Sequence, residues 1–394
     1  MTNFKIKTLT PVHIGSGEQY QRNYEFLYFA GENSVALIDD EKVLKLIGEE
    51  NLDHWLSTVE NDQSLLEYLK SRSKEILKAN DIARQTLQVV GKNALSLDRK
   101  STVSIRGQLK SGIYSSIAGT SLKGAIRTAV LTHLIDNDPD AKFYKNKFNL
   151  TNRKEKFSDE KLMRRHFGED PNHDILRLLQ VGDANFDSEN VCLHTSSINL
   201  YRDDWKFKQE IDQFIECLPK GAETIVRIKF NELVFDAAQN KRLRSKVSYG
   251  RQDETYKLYD GKQPDILKPT QLFKIINEHT SILLKNELEF WDKQKSYPDE
   301  VIKYIECLED FLNQTYHLID TDSEGSSCIL RLGWGTGFRN MTGDWQEDLL
   351  SSKDYDALLN ELRSNKPVNI TYPKTRRMAS DGTPLGFIKL EKNE

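Results

Sequence analysis

The chain has 394 residues, 38% of them hydrophobic and 29% charged, with 17 Phe, 15 Tyr and a formal net charge of −4. Such a composition supplies a substantial core, so one large decorated domain or two domains is expected and wholesale disorder is not. No window approaches 18 consecutive apolar residues, Met1 to Gly15 alternates apolar with polar, and the four cysteines (Cys192, Cys217, Cys307, Cys328) make no C-x-x-C pair; a cytoplasmic protein with buried free thiols, no metal site and no membrane contact is the expectation.

Phe4 to Val12 reads as a strand, and Glu25 to Ile38 as a hairpin that turns at Ala30 to Asn33. From Asp40 to about Ala83 apolar residues recur at helical spacing (Val43, Leu44, Ile47, then Leu65, Leu66, Leu69, Ile76). β-like stretches follow at Thr102–Leu109 and Ile113–Ala118, and then the best-marked element, a helix from Ser121 to Ile135. Thr120 or Ser121 is its expected cap, and Leu122, Ala125, Ile126, Ala129 and Val130 form its apolar face. A basic loop runs on to Arg165. Strands are expected at Leu179–Ala184, Asn190–Leu200 and Thr224–Phe235; in the last, Ile225, Arg227 and Lys229 alternate with Val226, Ile228 and Phe230, as in a sheet with one covered and one wet face. Leu267 to Leu318 is helical with a break near Pro298, and β character returns at Ser327–Leu332 and Gly386–Leu390. Strands from the two ends of the chain are therefore expected to share one sheet, in an α+β fold with large helical insertions.

A net negative charge sits awkwardly with nucleic-acid binding, which needs cations to neutralise phosphate. The charge is segregated, however: Lys142 to Arg165 holds nine Lys/Arg against three acids, and Lys241 to Arg251 holds five against none. Acid gathers at Asp39–Glu50, Asp299–Asp310 and Asp320–Glu324, which suggests basic faces for RNA and acidic faces for basic partners.

Four segments carry possible chemistry. Ile117 to Ala129 runs strand, glycine turn, helix; Ser121 lies near the helix N-terminus, and Lys123 and Arg127 project from one face as a phosphate grip. Leu332-Gly-Trp-Gly-Thr-Gly-Phe-Arg339 sets Gly333, Gly335 and Gly337 two apart after a β run, so that main chain can approach a ligand, with Arg339 in reach of phosphate and Trp334 or Phe338 in reach of a base. Pro11-Val-His-Ile-Gly-Ser-Gly17 offers His13, which titrates near neutrality or contacts RNA. Pro373-Lys-Thr-Arg-Arg377, with Arg376 and Arg377, reads as a basic loop leading to the short strand in Pro384–Leu390. Taken singly, each has a plain structural explanation: a solvated helix face, a glycine bulge, a core histidine, a surface loop.

Their joint order resembles the RAMP superfamily of CRISPR proteins, and within it the fifth-subunit family of the type III-A (Csm) effector complex. The resemblance covers both ends and the Ser121 helix, but not Asp40–Gly91 or Leu233–Ser326. It implies an RRM-like (ferredoxin-like) antiparallel core from about residues 1–39, 100–236 and 326–394, with helical insertions at about 40–95 and 252–325. It further implies a guide-RNA (crRNA) binder without enzymatic activity or cofactor, seated at the 3′ side of the guide beside backbone-type RAMP subunits and assisting 3′-end maturation with cellular nucleases. The implied RNA-binding residues are Ser121, Lys123, Arg127, Gly333, Gly335, Gly337, Arg339, His13, Arg376 and Arg377. Two rivals stand beside it. A metal-independent RAMP endoribonuclease processing precursor crRNA would enlist His13 or His133; for the loop aspartate with which backbone-type relatives cut target RNA, the nearest candidate is Asp183, better explained as a turn cap. A nucleotide-binding enzyme would use the glycine loop as a phosphate cradle, although neither G-x-G-x-x-G nor Gly-Lys-Ser/Thr is present.

Overall fold

The computed structural model describes residues 2–60, 64–92, 97, 103–140, 160–201, 204–239, 262–343 and 375–393. Residues 142–159 and 241–251, which hold most of the two basic stretches, lie outside them.

Strand β1 (Thr2–Thr8) turns Phe4, Ile6 and Thr8 inward and Asn3 and Lys7 outward. After β2 (Gly15–Gln21) comes the expected hairpin, β3 (Phe26–Phe29) against β4 (Ser34–Ile38), with Asn33 at φ 46° in its turn. The Asp39 carboxylate accepts from the N–H groups of Glu41 and Lys42 and so opens α1 (Asp40–Ile47). Helices α2 (Leu52–Glu60), α3 (Leu65–Arg72) and α4 (Ala79–Ile82) complete the first helical segment. Next come β5 (Ala83–Val90), β6 (Ser104–Gln108), β7 (Lys110–Ser111), β8 (Tyr114–Ile117), α5 (Gly119–Asp136) and α6 (Glu160–His166). Strands β9 (Leu179–Val181), β10 (Ala184–Phe186), β11 (Val191–Tyr201), β12 (Asp204–Phe207), β13 (Gln213–Cys217) and β14 (Glu223–Phe230) follow. The chain continues with α7 (Glu232–Gln239), α8 (Pro269–Asp292), α9 (Asp299–Thr321), β15 (Ser327–Arg331), β16 (Thr375–Ala379) and β17 (Phe387–Lys392).

Strands from both ends of the chain share the first sheet, whose order is β15-β17-β1-β14-β9. All its pairings are antiparallel, so β1 and β9 run the same way and α5 crosses between them, while β14 and β17 run the other way. Strands β17-β1-β14-β9 thus reproduce the 4-1-3-2 order of a ferredoxin-like core, and β15 is added at the edge. On one face Phe4, Ile6, Val226, Ile228 and Leu390 pack against Leu122 and Ile126 of α5 and Phe273 and Ile276 of α8. The other side of the C-terminal half meets α9 through Phe387, Phe311, Tyr304 and Leu308. The edge of β15 is not left bare: the Asn277 side chain of α8 donates to Ser327 O and accepts from Ile329 N–H, both at 3.0 Å.

The second sheet runs β2-β6-β13-β11-β5-β4-β3, with β12 and β16 also paired to β11, and β7, β8 and β10 form a small third sheet. Helices α1, α3 and α4 cover one face of β3–β4 through Val43, Ile47, Leu65, Leu69 and Ile82, and Phe26, Tyr28, Val35 and Leu37 fill the other face. A hairpin buried on both faces accounts for the unbroken apolar run Val35 to Ile38.

Three local expectations are corrected. The strand expected to reach Phe235 ends at Phe230, because Asn231 Oδ1 accepts from Val234 N–H and starts α7. The presumed basic loop holding Arg376 and Arg377 is strand β16, paired with β11 from Thr375↔Asn199 to Ala379↔Thr195. The long helix begins at Gly119, capped neither by Thr120 nor by Ser121: Asp183 reaches across from the β9–β10 turn and accepts the Gly119 N–H at 2.7 Å.

A candidate nucleic-acid interface

The glycine loop leaves β15 with Gly333, Gly335 and Gly337 all in the left-handed region, at φ 91°, 83° and 90°. At Gly333 the requirement is also spatial, since a Cβ would lie 2.7 Å from His13 O. The loop is anchored to the Pro11–Ile14 segment: Trp334 N–H donates to His13 O at 2.9 Å, and Gly386 N–H, just before β17, donates to Pro11 O at 2.9 Å. Thr336 Oγ1 donates to Gly333 O and Asn340 Nδ2 to Thr336 O, both at 3.0 Å, which tightens the loop into the π-helical turn Arg339–Gly343. Helix α5 docks on that turn through Thr128 Oγ1, 2.6 Å from Met341 O.

Between the α5 flank and the glycine loop opens a groove of about 510 Å³, lined among others by Ser121, Gly124, Arg127 and Thr128 on one wall and Gly333 and Trp334 on the other. The segments at Pro11, Ser121, Gly333 and Pro384, far apart in sequence, therefore converge. Gly124 sits in mid-helix with nothing within 4 Å of where its Cβ would be. A glycine there costs helix stability of about 1 kcal/mol relative to alanine; in return the groove floor stays bare.

Lys123 and Arg127 are half-buried. Lys123 Nζ donates to Leu179 O at 2.8 Å, and burial lowers its pKa from the usual lysine value. Arg127 pairs with Asp174 at 2.9 Å and lies 4.3 Å over the Phe167 ring, its edge shared between the groove and a neighbouring recess that also holds Lys123 and Arg177. Asp183 already occupies the first N–H of α5, so that group is not offered at the helix tip, and Lys123 and Arg127 lie further along, on the helix flank.

His13 is a buried strut. Its Nδ1 lies 2.6 Å from the Glu216 carbonyl, which can only accept, so Nδ1 carries the proton; burial lowers its pKa below the ordinary 6.5. The Glu216 carboxylate, itself fully buried, receives Asn190 Nδ2 and Lys110 Nζ at 2.7 Å and the Gln108 N–H at 3.1 Å. His133, the second histidine weighed for acid–base work, lies 4.0 Å from the Glu278 carboxylate. Arg339 lines a second cavity, of about 230 Å³, with Gly335, Gly337, Arg376 and Arg377 on the α8–α9 side of the loop. Arg376 is withdrawn from solvent at 6% side-chain exposure, bonded through Nε and Nη2 to both oxygens of Glu287 at 2.8 and 2.9 Å and 3.8 Å over Phe290. Arg377, its neighbour, points instead to Trp334, 4.4 Å above the ring.

The model of the RAMP superfamily matches residues 5–340, most of the chain. The chain belongs to the RAMP superfamily. Among its relatives, the CRISPR system Cms protein Csm5 of Methanocaldococcus jannaschii is 27% identical over 414 residues, spanning 98% of this chain and 88% of that protein. Two solved structures share the RAMP fold seen here. One is a chain of the Csm-crRNA-target RNA ternary complex of a type III-A CRISPR-Cas system, with TM-score 0.68, 22% identity and coverage of 99% and 100%. The other is T.onnurineus Csm5, with TM-score 0.63, 20% identity and coverage of 98% and 99%. No helix among the described residues is long and apolar enough to cross a membrane.

Proposed function

We propose that this RAMP protein is a guide-RNA-binding subunit of a type III-A (Csm) effector complex. It caps the 3′-end side of the guide beside backbone-type RAMP subunits and assists maturation of that end, with cellular nucleases, without cutting RNA itself. The observation that carries the reading is the groove shared by the α5 flank and the positive-φ glycine loop. Bare main chain on one wall and Arg127 on the other suit a sugar-phosphate backbone and read no base edges, as a holder of guides of any sequence requires. The names of the relatives, Csm5 proteins and a chain of a complex with crRNA and target RNA, support the same assignment. His13, buried and donating its Nδ1–H to the Glu216 carbonyl, acts on this reading as a brace beneath the loop.

Gly124→Leu tests this directly. Leucine fills the groove from an unstrained helical position and should raise helix stability by about 0.8 kcal/mol. The expected result is an unchanged or higher melting temperature with single-stranded RNA affinity lowered about tenfold or more, or about 1.4 kcal/mol. Full affinity in a folded Gly124→Leu chain removes the groove from the RNA path.

A further inference from the structure

At the Trp334 ring, which also lines the α5 groove, three side chains of the second sheet meet. Arg106 of β6 donates from Nε to Gln213 Oε1 of β13 at 2.9 Å, and Arg377 of β16 donates from Nη1 to the same oxygen at 3.3 Å. Both guanidiniums also lie over the Trp334 ring, at 5.5 and 4.4 Å. Two like charges thus share one neutral acceptor and one indole. Among the described residues no carboxylate is bonded to either. The acid whose charge acts on Arg377, Asp212, turns one oxygen toward His194 Nε2 at 3.4 Å and Ser196 Oγ at 3.5 Å, and its Oδ1 is buried without a hydrogen-bond partner. Burial and Arg106 both work against the charge on Arg377. A half-buried cation pair that shares one neutral acceptor and one rigid ring, with no bonded carboxylate among the described residues, is short of a directly bonded anion.

We infer that Arg106 and Arg377, steadied by Trp334 and Gln213, form a seat for one phosphodiester of single-stranded RNA, so that the bound strand leaves the α5 groove, passes Trp334 and continues onto the second sheet. The inference rests on the proposed RNA-binding role and extends its site to a residue, Arg106, that belongs to no motif. Trp334 then serves as a wall and cation platform, with its ring given to arginine contacts in place of base stacking.

The test measures binding of a labelled mixed-sequence single-stranded RNA to the full chain over a series of salt concentrations. Arg106→Gln, which keeps a partner for Gln213, should lower the slope of log affinity against log salt by about 0.7 for the lost contact. Arg106→Lys should restore most of that slope, which a purely structural role would not do. If Arg106→Gln leaves the slope unchanged while Gly124→Leu abolishes binding, the seat is overturned and the groove stands; if neither variant changes binding, both readings fall. Inorganic phosphate supplies the remaining arm: stabilisation of the wild type but not of Arg106→Gln, with an unaltered RNA slope, assigns the seat to free phosphate and overturns the RNA path.

Discussion

Arg376 and Arg377 show how one residue of offset along a strand separates structure from function. Successive side chains of β16 face opposite ways; one guanidinium is drawn into the Glu287, Phe290 and Trp205 cluster and the other is laid on Trp334 beside the proposed RNA path. Removing Arg376 leaves the partly buried Glu287 carboxylate with only the Trp291 Nε1–H, so Arg376→Ala should cost about 3 kcal/mol in urea unfolding while RNA affinity of the folded fraction holds. Arg377→Ala should do the reverse, a small stability change with weakened and less salt-dependent binding. Equal stability losses in the two variants would contradict the assignment. From sequence both arginines belong to one basic cluster after Pro373; only the pairing of β16 with β11 distinguishes them.

At the scale of elements, what could be read in advance was what depends on local pattern. The alternation from Thr224 to Phe230 gives the covered and wet faces of β14 because each side chain's fate follows its parity. Helix α5 and the glycine loop stand out because apolar spacing and glycine each have local meanings. Strand β2, Gly-Ser-Gly-Glu-Gln-Tyr-Gln, was hidden: it buries a single residue, Tyr20, and shows no apolar alternation. Asp183 as the cap of α5 and Gln213 as the link between Arg106 and Arg377 were equally illegible, since each acts on a residue 64 or more positions away. Gly124 lay in plain view within the motif, yet its meaning appears only once the opposite wall of the groove is in place.

Two buried histidines make the helices sensitive to acid. Burial holds His279 of α8 and His166 of α6 at about 4, below the ordinary 6.5. The unfolded chain therefore takes up protons as pH falls through about 6.5 while the folded chain does not, so stability present above that point is lost on acidification. The slope is about 1.4 kcal/mol per pH unit for each histidine until pH reaches about 4, where the folded form protonates too. Denaturant melts between pH 7 and pH 4 should show this fall, and His279→Gln should remove one histidine's share. A pH-independent midpoint over that range would contradict it. Glu223, held at about 2 by Lys5 and Lys7, belongs to a lower window: it favours the fold above about 4.5 and loses that effect toward pH 2.

For the molecule as a whole, the proposed RNA path is assembled from both sheets. The loop after β15 contributes glycines, α5 contributes Arg127, and β6 and β16 contribute the proposed phosphate seat, with the Pro11–Ile14 segment bonded to the loop at their junction. Loss of a strand at that junction should therefore disable folding and binding together. Deleting Phe387–Lys392 removes the strand between β1 and β15, with Phe387, Ile388 and Leu390 buried in it, and the expected product is insoluble or unfolded by circular dichroism. A soluble, cooperatively melting deletion product would show that β1 and β15 can close on each other.

The place of β17 inside its sheet also sets a timetable for biosynthesis. The ribosome releases β1 first, but one long side of that strand must wait for a partner made almost four hundred residues later. Until then β1 can pair only with β14, and the glycine loop lacks the Gly386 contact that braces it. The nascent protein therefore cannot complete the proposed RNA surface, and on that reading an incomplete copy is kept from occupying a guide.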